Sequence, residues 1–196
     1  MKEIVEELKI EKPKNKKHGS ISIKDVTLIA LFAALMAVCS WISIPFVVPF
    51  TLQTFAVFLA LITLGGFKGT LSILTYILLG VIGLPVFASF NGGVAYIAGP
   101  TGGYIVGFLL TGLFMWAVEK PFASKNDGFL VISMLIGLLI CYICGTIWFW
   151  VVYSGRGNDT DILNILLMCV LPFIVPDVLK IVLALFIKNK LKRFIK

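Results

Sequence analysis

The feature that most constrains this chain is the length of its uncharged segments. No Asp, Glu, Lys or Arg occurs in 26–67, in 69–118 or in 128–155. An α-helix needs about 20 apolar residues to cross the hydrocarbon core of a bilayer, so each of the first two segments allows two crossings. Only 14% of the 196 residues are charged and 59% are hydrophobic, which is typical of a polytopic membrane protein. Proline- and glycine-rich stretches divide the segments and predict an all-α bundle of six transmembrane helices, near residues 26–44, 50–66, 70–88, 102–118, 129–152 and 162–187.

The uneven placement of lysine and arginine predicts the orientation of the chain. Fifteen of the 17 lie before the first predicted helix, between helices two and three, between four and five, or after the sixth. Of the other two, Arg156 lies in an opposite loop and Lys180 lies inside a helix. The positive-inside rule therefore places both termini in the cytoplasm, with a charged segment, 1–20, ahead of a single membrane domain, 21–196. The net charge of +7 is then a topology signal and a contact to anionic lipid headgroups, not a nucleic-acid footprint.

Motifs for catalysis are missing from the sequence. The stretch "GGFKGT" at 65–70 lacks the spacing of a Walker A loop and follows no predicted strand. The one histidine, His18, lies in the N-terminal segment, and the predicted helices contain no glutamate. The "CYIC" pair at 141–144 has no second Cys or His pair beside it, so the four cysteines are interpreted as apolar packing residues. We therefore expect no enzyme activity, no metal and no cofactor in this chain.

Two charged residues, Asp177 and Lys180 in "IVPDVLK", interrupt the sixth predicted helix. They are three residues apart, so they lie on one face of the helix and within reach of each other. Charged side chains inside a membrane are costly and nearly always face the interior of the bundle. One interpretation is a structural ion pair. The other is a small-molecule site in which Lys180 binds a carboxylate and Asp177 accepts from N–H donors. Pro172 and Pro176 favour the second because they loosen this half of the helix, where a cavity could open.

An uncharged, glycine-rich segment, "FNGGVAYIAGPTGGYIVG" at 90–107, separates the third and fourth predicted helices. It has no cation for a phosphate site. It could fold over a cavity as a lid, because irregular backbone at membrane depth must be buried in protein or face water. Asn91 is its most polar side chain and offers both donor and acceptor; the alternative for Asn91 is an ordinary tight turn with left-handed geometry. Gln53, at the start of the second predicted helix, is expected at the membrane interface.

Small residues four positions apart recur in the first predicted helix, in "IALFAALMAV". Such pairs let a second helix approach closely. Packing within the chain and docking of a partner subunit are both compatible with this pattern. The residues concerned are Ala30, Ala33, Ala34 and Ala37.

Together these segments resemble the BioY biotin transporters, which are substrate-binding (S) components of energy-coupling factor (ECF) transporters. The resemblance implies a compact six-helix fold in a prokaryotic plasma membrane that captures biotin with high affinity from the outside. It also implies that transport requires a membrane coupling subunit and two ATP-binding subunits. It extends from about Ile21 to Lys190 and depends on "LIALFAALMAV" (28–38), "PFTLQTFAV" (49–57), "GLPVF" (83–87), the run from "GG" to "GPTGGYIVGF" (92–108) and "PDVLK" (176–180).

The same resemblance implies roles for individual residues. Asp177 would accept from the ureido N–H groups of biotin, Lys180 would hold the valerate carboxylate at the opposite end, and Asn91 would be a further ureido partner. The alanines of the first helix would dock on the coupling subunit. Three other interpretations stay open: an S component for another vitamin, an autonomous secondary carrier with Asp177 as its coupling site, and a structural membrane subunit with a neutralising ion pair.

Overall fold

The computed structural model describes residues 21–119, 127–155 and 161–195, and most of them are helical. The two strands are short and pair antiparallel as a hairpin between the first two helices. In chain order the elements are α1 (Ile23–Trp41), β1 (Ser43–Ile44), β2 (Phe50–Thr51), α2 (Gln53–Leu64), α3 (Gly66–Val81), a 3₁₀ turn (Ala88–Phe90), α4 (Val94–Ile97), α5 (Gly102–Glu119), α6 (Asp127–Ser154), α7 (Ile162–Cys169) and α8 (Leu171–Ile195).

The apolar helices differ in length. In the described ranges, four stretches are long enough to cross a membrane: Ile23–Trp41, Gly102–Glu119, Gly128–Ser154 and Ile162–Lys190. α2 and α3 have only 12 and 16 residues. At 1.5 Å per residue they extend about 18 and 24 Å, less than the roughly 30 Å of the hydrocarbon core. Four of the six predicted spans are therefore helical stretches of full membrane length, and the other two are shorter apolar helices.

The last span is not one continuous helix. α7 ends at Cys169, and Val170 has φ −124° and ψ −53° before α8 begins. Pro172 follows closely and has no N–H group to continue the helical hydrogen-bond ladder. In a continuous helix the carbonyl of Cys169 would accept from the N–H of Phe173, but that N–H donates to the carbonyl of Val170 at 2.9 Å. The carbonyl of Cys169 accepts a hydrogen bond from the hydroxyl of Tyr104, at 3.4 Å. This break agrees with the prediction that the prolines loosen this half of the helix.

Charged groups join three helices at one end of the bundle. Ser22 and Asp25 form a capping box at the start of α1, and Lys68 of α3 forms an ion pair with Asp25. Glu119, at the end of α5, accepts a hydrogen bond of 2.6 Å from the backbone N–H of Gly66. That bond satisfies one of the amides that are left free at the start of α3. The start of α1, the turn between α2 and α3 and the end of α5 therefore lie on the same side.

Tryptophans fix the segment between α3 and α5 at the opposite end. The indole N–H of Trp41 donates to the carbonyl of Pro85 at 2.8 Å, and its ring stacks on Phe90 with centroids 5.0 Å apart. The indole N–H of Trp148 in α6 donates to the carbonyl of Gly99 at 2.9 Å. The segment is thereby held between the end of α1 and the second half of α6.

Glycines allow α5 and α6 to pack closely. A Cβ atom on Gly103 would lie 2.2 Å from the Cβ of Trp148, and one on Gly107 would lie 3.0 Å from the Cα of Cys141. Glycines four residues apart give this close approach in membrane helix pairs. Tyr104 lies between the two glycines in sequence and lines the cavity described below.

Candidate ligand-binding site

A cavity of about 650 Å³, counting its mouth, lies between the β1–β2 hairpin, the segment 87–101 and helices α2, α5, α6 and α8. Most of its lining is apolar, as in small-molecule sites. Among the aromatic residues of the wall, Phe87 and Tyr96 stack with ring centroids 5.3 Å apart. Burial raises the pKa of the Tyr96 phenol. The aromatic lining consists of Phe87, Tyr96, Tyr104, Phe108, Tyr142 and Phe173.

The last span presents one face to this cavity. Its four lining residues are spaced by four, four and three positions, which is the periodicity of a single helix face. Two of them are apolar and lie on either side of the break after α7, and two are charged. These residues are Cys169, Phe173, Asp177 and Lys180.

Asp177 and Lys180 form a buried ion pair with further partners. The ammonium Nζ of Lys180 lies 2.7 Å from Oδ1 of Asp177, and the two residues are only 6% and 3% exposed. Nζ also donates to the backbone carbonyl of Thr51 at 2.6 Å and lies 4.3 Å from the centre of the Phe50 ring. The hydroxyl of Tyr142 donates to the other oxygen, Oδ2 of Asp177, at 2.7 Å. Each charge is therefore both neutralised and hydrogen-bonded, as burial requires.

This geometry brings a donor and an acceptor to one place in the cavity. The resemblance implied that Asp177 and Lys180 contact opposite ends of a ligand. The structure instead places their charged atoms in direct contact. A ligand group that donates and accepts hydrogen bonds at neighbouring atoms would be complementary to this pair.

The glycine-rich segment forms part of the cavity wall, but Asn91 is not among the lining residues. Asn91 is exposed, and its side-chain N–H donates to the carbonyl of Ala88 at 2.9 Å. Its φ of −83° shows that the left-handed alternative is wrong; Ser89 and Phe90 have positive φ instead. The ureido role of Asn91 stays a prediction, whereas the expectation that this segment folds over a cavity agrees with the positions of Tyr96 and Thr101, which line it.

Several polar residues of the site were not predicted from the sequence. Gln53 was expected at the membrane interface, but it is 6% exposed and lines the cavity, so that expectation is wrong. Thr51 and Tyr142 were not singled out. The carbonyl of Thr51 is 129 positions from Lys180 in sequence, and Tyr142 is 35 positions from Asp177. No local sequence pattern identifies partners that are so far apart in the chain. Gln53 could have been predicted as a site residue, because a glutamine is unusual in an uncharged apolar segment.

The alanine pattern of α1 divides between two environments. Ala33 and Ala37 are 1% and 7% exposed and pack inside the chain, whereas Ala30 and Ala34 are exposed. Both interpretations of the pattern therefore have residues that fit them. Of the four alanines, only Ala30 and Ala34 could form an outward docking surface on α1. The docking role stays a prediction.

These features define a class: a helical membrane protein with an aromatic cavity for a small molecule and a buried ion pair in its wall. The chain belongs to the BioY family, whose model matches residues 12–196. It is 43% identical to the probable biotin transporter BioY of Pyrococcus horikoshii over 171 residues, covering 86% of this chain and 96% of that protein. It is 42% identical to the biotin transporter BioY of Thermotoga maritima over 166 residues, covering 83% and 92%.

A solved structure shares the fold. The crystal structure of the S-component for biotin from an ECF-type ABC transporter superposes with a TM-score of 0.76 at 29% sequence identity. The match covers 87% of this chain and 92% of that one. The two short helices, α2 and α3, therefore belong to a chain that matches a known S-component fold over most of its length.

Proposed function

We propose that this chain captures biotin as the substrate-binding subunit of an ATP-driven ECF transporter. The observation that carries the proposal is the buried Asp177–Lys180 pair in the wall of an aromatic cavity, within a chain of the BioY family. The relatives named as biotin transporters and the S-component for biotin support the choice of ligand.

The chemistry of the ion pair supports contact with the ureido end of biotin. A cyclic urea has a carbonyl acceptor beside N–H donors, so Lys180 can donate to the oxygen while Asp177 accepts from a nitrogen. The carboxylate of biotin fits less well, because an anion next to Lys180 would also approach the negative charge of Asp177. The assignment of Lys180 to the carboxylate, implied by the resemblance, is therefore the alternative that an experiment has to exclude.

The apolar ring system and chain of biotin would contact the aromatic wall of the cavity. Asn91 is a further candidate for the ureido group. Its amide is bonded to the carbonyl of Ala88, which is a lining residue, so a change of rotamer would bring a donor and an acceptor close to the cavity.

The membrane arrangement and the partners belong to the same proposal. The two short helices and the four full-length spans would form a six-helix domain in a prokaryotic plasma membrane, with both termini in the cytoplasm. A membrane coupling subunit would dock on α1, where Ala30 and Ala34 leave an exposed surface of small residues. Two ATP-binding subunits would supply ATP hydrolysis, since this sequence has no Walker A loop.

An autonomous carrier with Asp177 as the proton-coupling site is less well supported. Such a site has to exchange protons during transport. Both oxygens of Asp177 already accept hydrogen bonds, one from the ammonium of Lys180 and one from Tyr142. Each oxygen is thus bonded to a donor of the protein itself and is not kept free for an exchangeable proton.

Titration of biotin and of biotinamide, whose tail is neutral, against the purified wild type and two variants tests the proposal. Asp177→Asn and Lys180→Ala should each weaken binding by about 2–5 kcal/mol, the scale for truncating one side of a buried charged contact. Both ligands should be weakened alike because they share the urea. A larger loss for biotin than for biotinamide in Lys180→Ala would assign Lys180 to the carboxylate. A wild type that binds neither ligand would contradict biotin capture.

A further inference from the structure

Gln53 is a buried residue of the cavity wall, and its side chain has a hydrogen-bond donor without a partner in the described part of the chain. It is 6% exposed and lines the cavity at the first residue of α2. Within 21–119, 127–155 and 161–195, its side-chain nitrogen Nε2 is buried and has no hydrogen-bond partner. Buried polar groups are nearly always paired, and leaving a donor unpaired is unfavourable. An amide N–H group kept in a ligand cavity in this way indicates an acceptor on the ligand.

Neighbouring contacts place Gln53 close to the charged pair. Its backbone N–H donates to the hydroxyl oxygen of Thr51 at 3.3 Å, and the carbonyl of the same Thr51 accepts from Lys180 at 2.6 Å. Thr51 therefore lies between Gln53 and Lys180. An acceptor atom of the ligand that reaches the ammonium group of Lys180 is also close to the start of α2.

We infer that Gln53 is a specificity-determining residue, whose side-chain N–H donates to the same ligand oxygen as the ammonium of Lys180. This inference rests on the proposed function, in which that oxygen is the ureido carbonyl of biotin. A carbonyl oxygen has two lone pairs and accepts two donors, one from each residue. Asp177 then accepts from the adjacent ureido N–H.

The arrangement explains how the site would distinguish a urea from its nitrogen analogue. Iminobiotin has a cyclic guanidine in place of the urea, and at neutral pH this group is a guanidinium cation, which has only N–H donors where biotin has its carbonyl oxygen. Gln53 and Lys180 would then face donors instead of an acceptor, and unpaired donors in a buried site strongly disfavour such a ligand. Gln53 would thus contribute to selection against ligands without the ureido oxygen.

Isothermal titration of the full-length protein with biotin, biotinamide and iminobiotin tests this role. Gln53→Leu keeps a similar volume and removes the donor. It should raise the Kd of biotin and of biotinamide alike, by about tenfold, because the lost hydrogen bond is to a shared carbonyl. The Kd of iminobiotin should change much less, since iminobiotin has no acceptor for Gln53 and the variant therefore loses no hydrogen bond to it. Gln53→Glu should raise the affinity for iminobiotin relative to biotin, because a carboxylate accepts from the imino N–H group.

Thr63→Val is the matched control on the same helix. The hydroxyl of Thr63 is also buried without a partner in the described part of the chain, but Thr63 does not line the cavity. All three ligands should bind this variant as they bind the wild type. An unchanged Kd for biotin in Gln53→Leu would overturn the inference, and so would a loss for biotin that biotinamide does not share. In either case biotin still binds the wild type, whereas failure of the proposed function would appear as a wild type that does not bind biotin.

Discussion

The hydroxyl of Tyr142 satisfies an oxygen of a carboxylate that is almost completely buried. Lys180 bonds to Oδ1 of Asp177, so Oδ2 depends on Tyr142 for its hydrogen bond at 2.7 Å. A hydrogen bond to a charged group is worth about 1.5–3 kcal/mol, more than one between neutral groups. The hydroxyl of Tyr142 on α6 therefore helps to stabilise the buried carboxylate of Asp177 on α8.

Tyr142→Phe should consequently lower the thermal stability of the purified, ligand-free protein. The expected loss in the free energy of unfolding is about 1.5–3 kcal/mol, because the variant leaves one oxygen of Asp177 without its donor. Thermal unfolding in detergent measures it as a lower Tm. Tyr153→Phe is the control on the same helix, since Tyr153 stacks on Phe149 and does not line the cavity. Equal Tm values for the two variants would show that the bond to Asp177 contributes nothing measurable.

Residue by residue, the candidate site was predictable only where a side chain is unusual for its surroundings. Asp177 and Lys180 stand out because a charge in an apolar helix is costly unless it is paired. Thr51 and Tyr142 are ordinary residues for a strand and a membrane helix, and they join the site through contacts between distant parts of the chain. Gln53 was placed at the interface because the sequence does not show which helix end is covered by the hairpin.

Helix positions were predictable from hydrophobicity, but helix lengths were less so. α1, α5, α6 and the last span are long and apolar enough to cross a membrane, as predicted. α3 was expected to reach 88 and ends at Val81. Gly83 with φ +102° and Pro85 then turn the chain towards the cavity. The apolar residues that follow lie in two environments: Val86, Phe87 and Ala88 are buried, whereas Ile82 and Leu84 are exposed. Hydrophobicity therefore continues past the end of the helix and does not mark it.

The two faces of α1 give a prediction at the scale of one element. Ala34 is exposed and Ala33 is 1% exposed, although the two are adjacent in sequence. Ala34→Trp should leave biotin binding nearly unchanged and abolish uptake, because bulk on the outward face blocks the approach of a coupling helix. Ala33→Trp should reduce both, since the ring cannot fit in a packed core.

Biotin titration of the purified variants and uptake of labelled biotin by cells that express them measure the two effects separately. Normal uptake by Ala34→Trp would exclude this face of α1 as the docking surface. A loss of binding in Ala34→Trp as large as in Ala33→Trp would show that Ala34 also packs within the folded chain.

At the scale of the whole molecule, the two ends of the bundle differ in their polar contacts. Lys68, Asp25 and Glu119 lie at one end, where α1 and α3 begin and α5 finishes. Trp41 and Trp148 bond to backbone carbonyls at the other end. Fifteen of the 17 basic residues belong to segments that emerge at the first end, if six helices alternate in direction.

This distribution predicts that the first end faces the cytoplasm, because basic segments are retained on that side during insertion. A reporter that is active only in the periplasm should be inactive when fused after Lys125, which follows α5, and active when fused after Asn158, which follows α6. A reporter that fluoresces only in the cytoplasm should give the reverse result at the same two positions. Fusion after Lys196 serves as the control, since an even number of crossings places the C-terminus on the same side as Lys125. Periplasmic activity at Lys125 together with none at Asn158 would invert the orientation, and different sides for Lys125 and Lys196 would exclude six crossings.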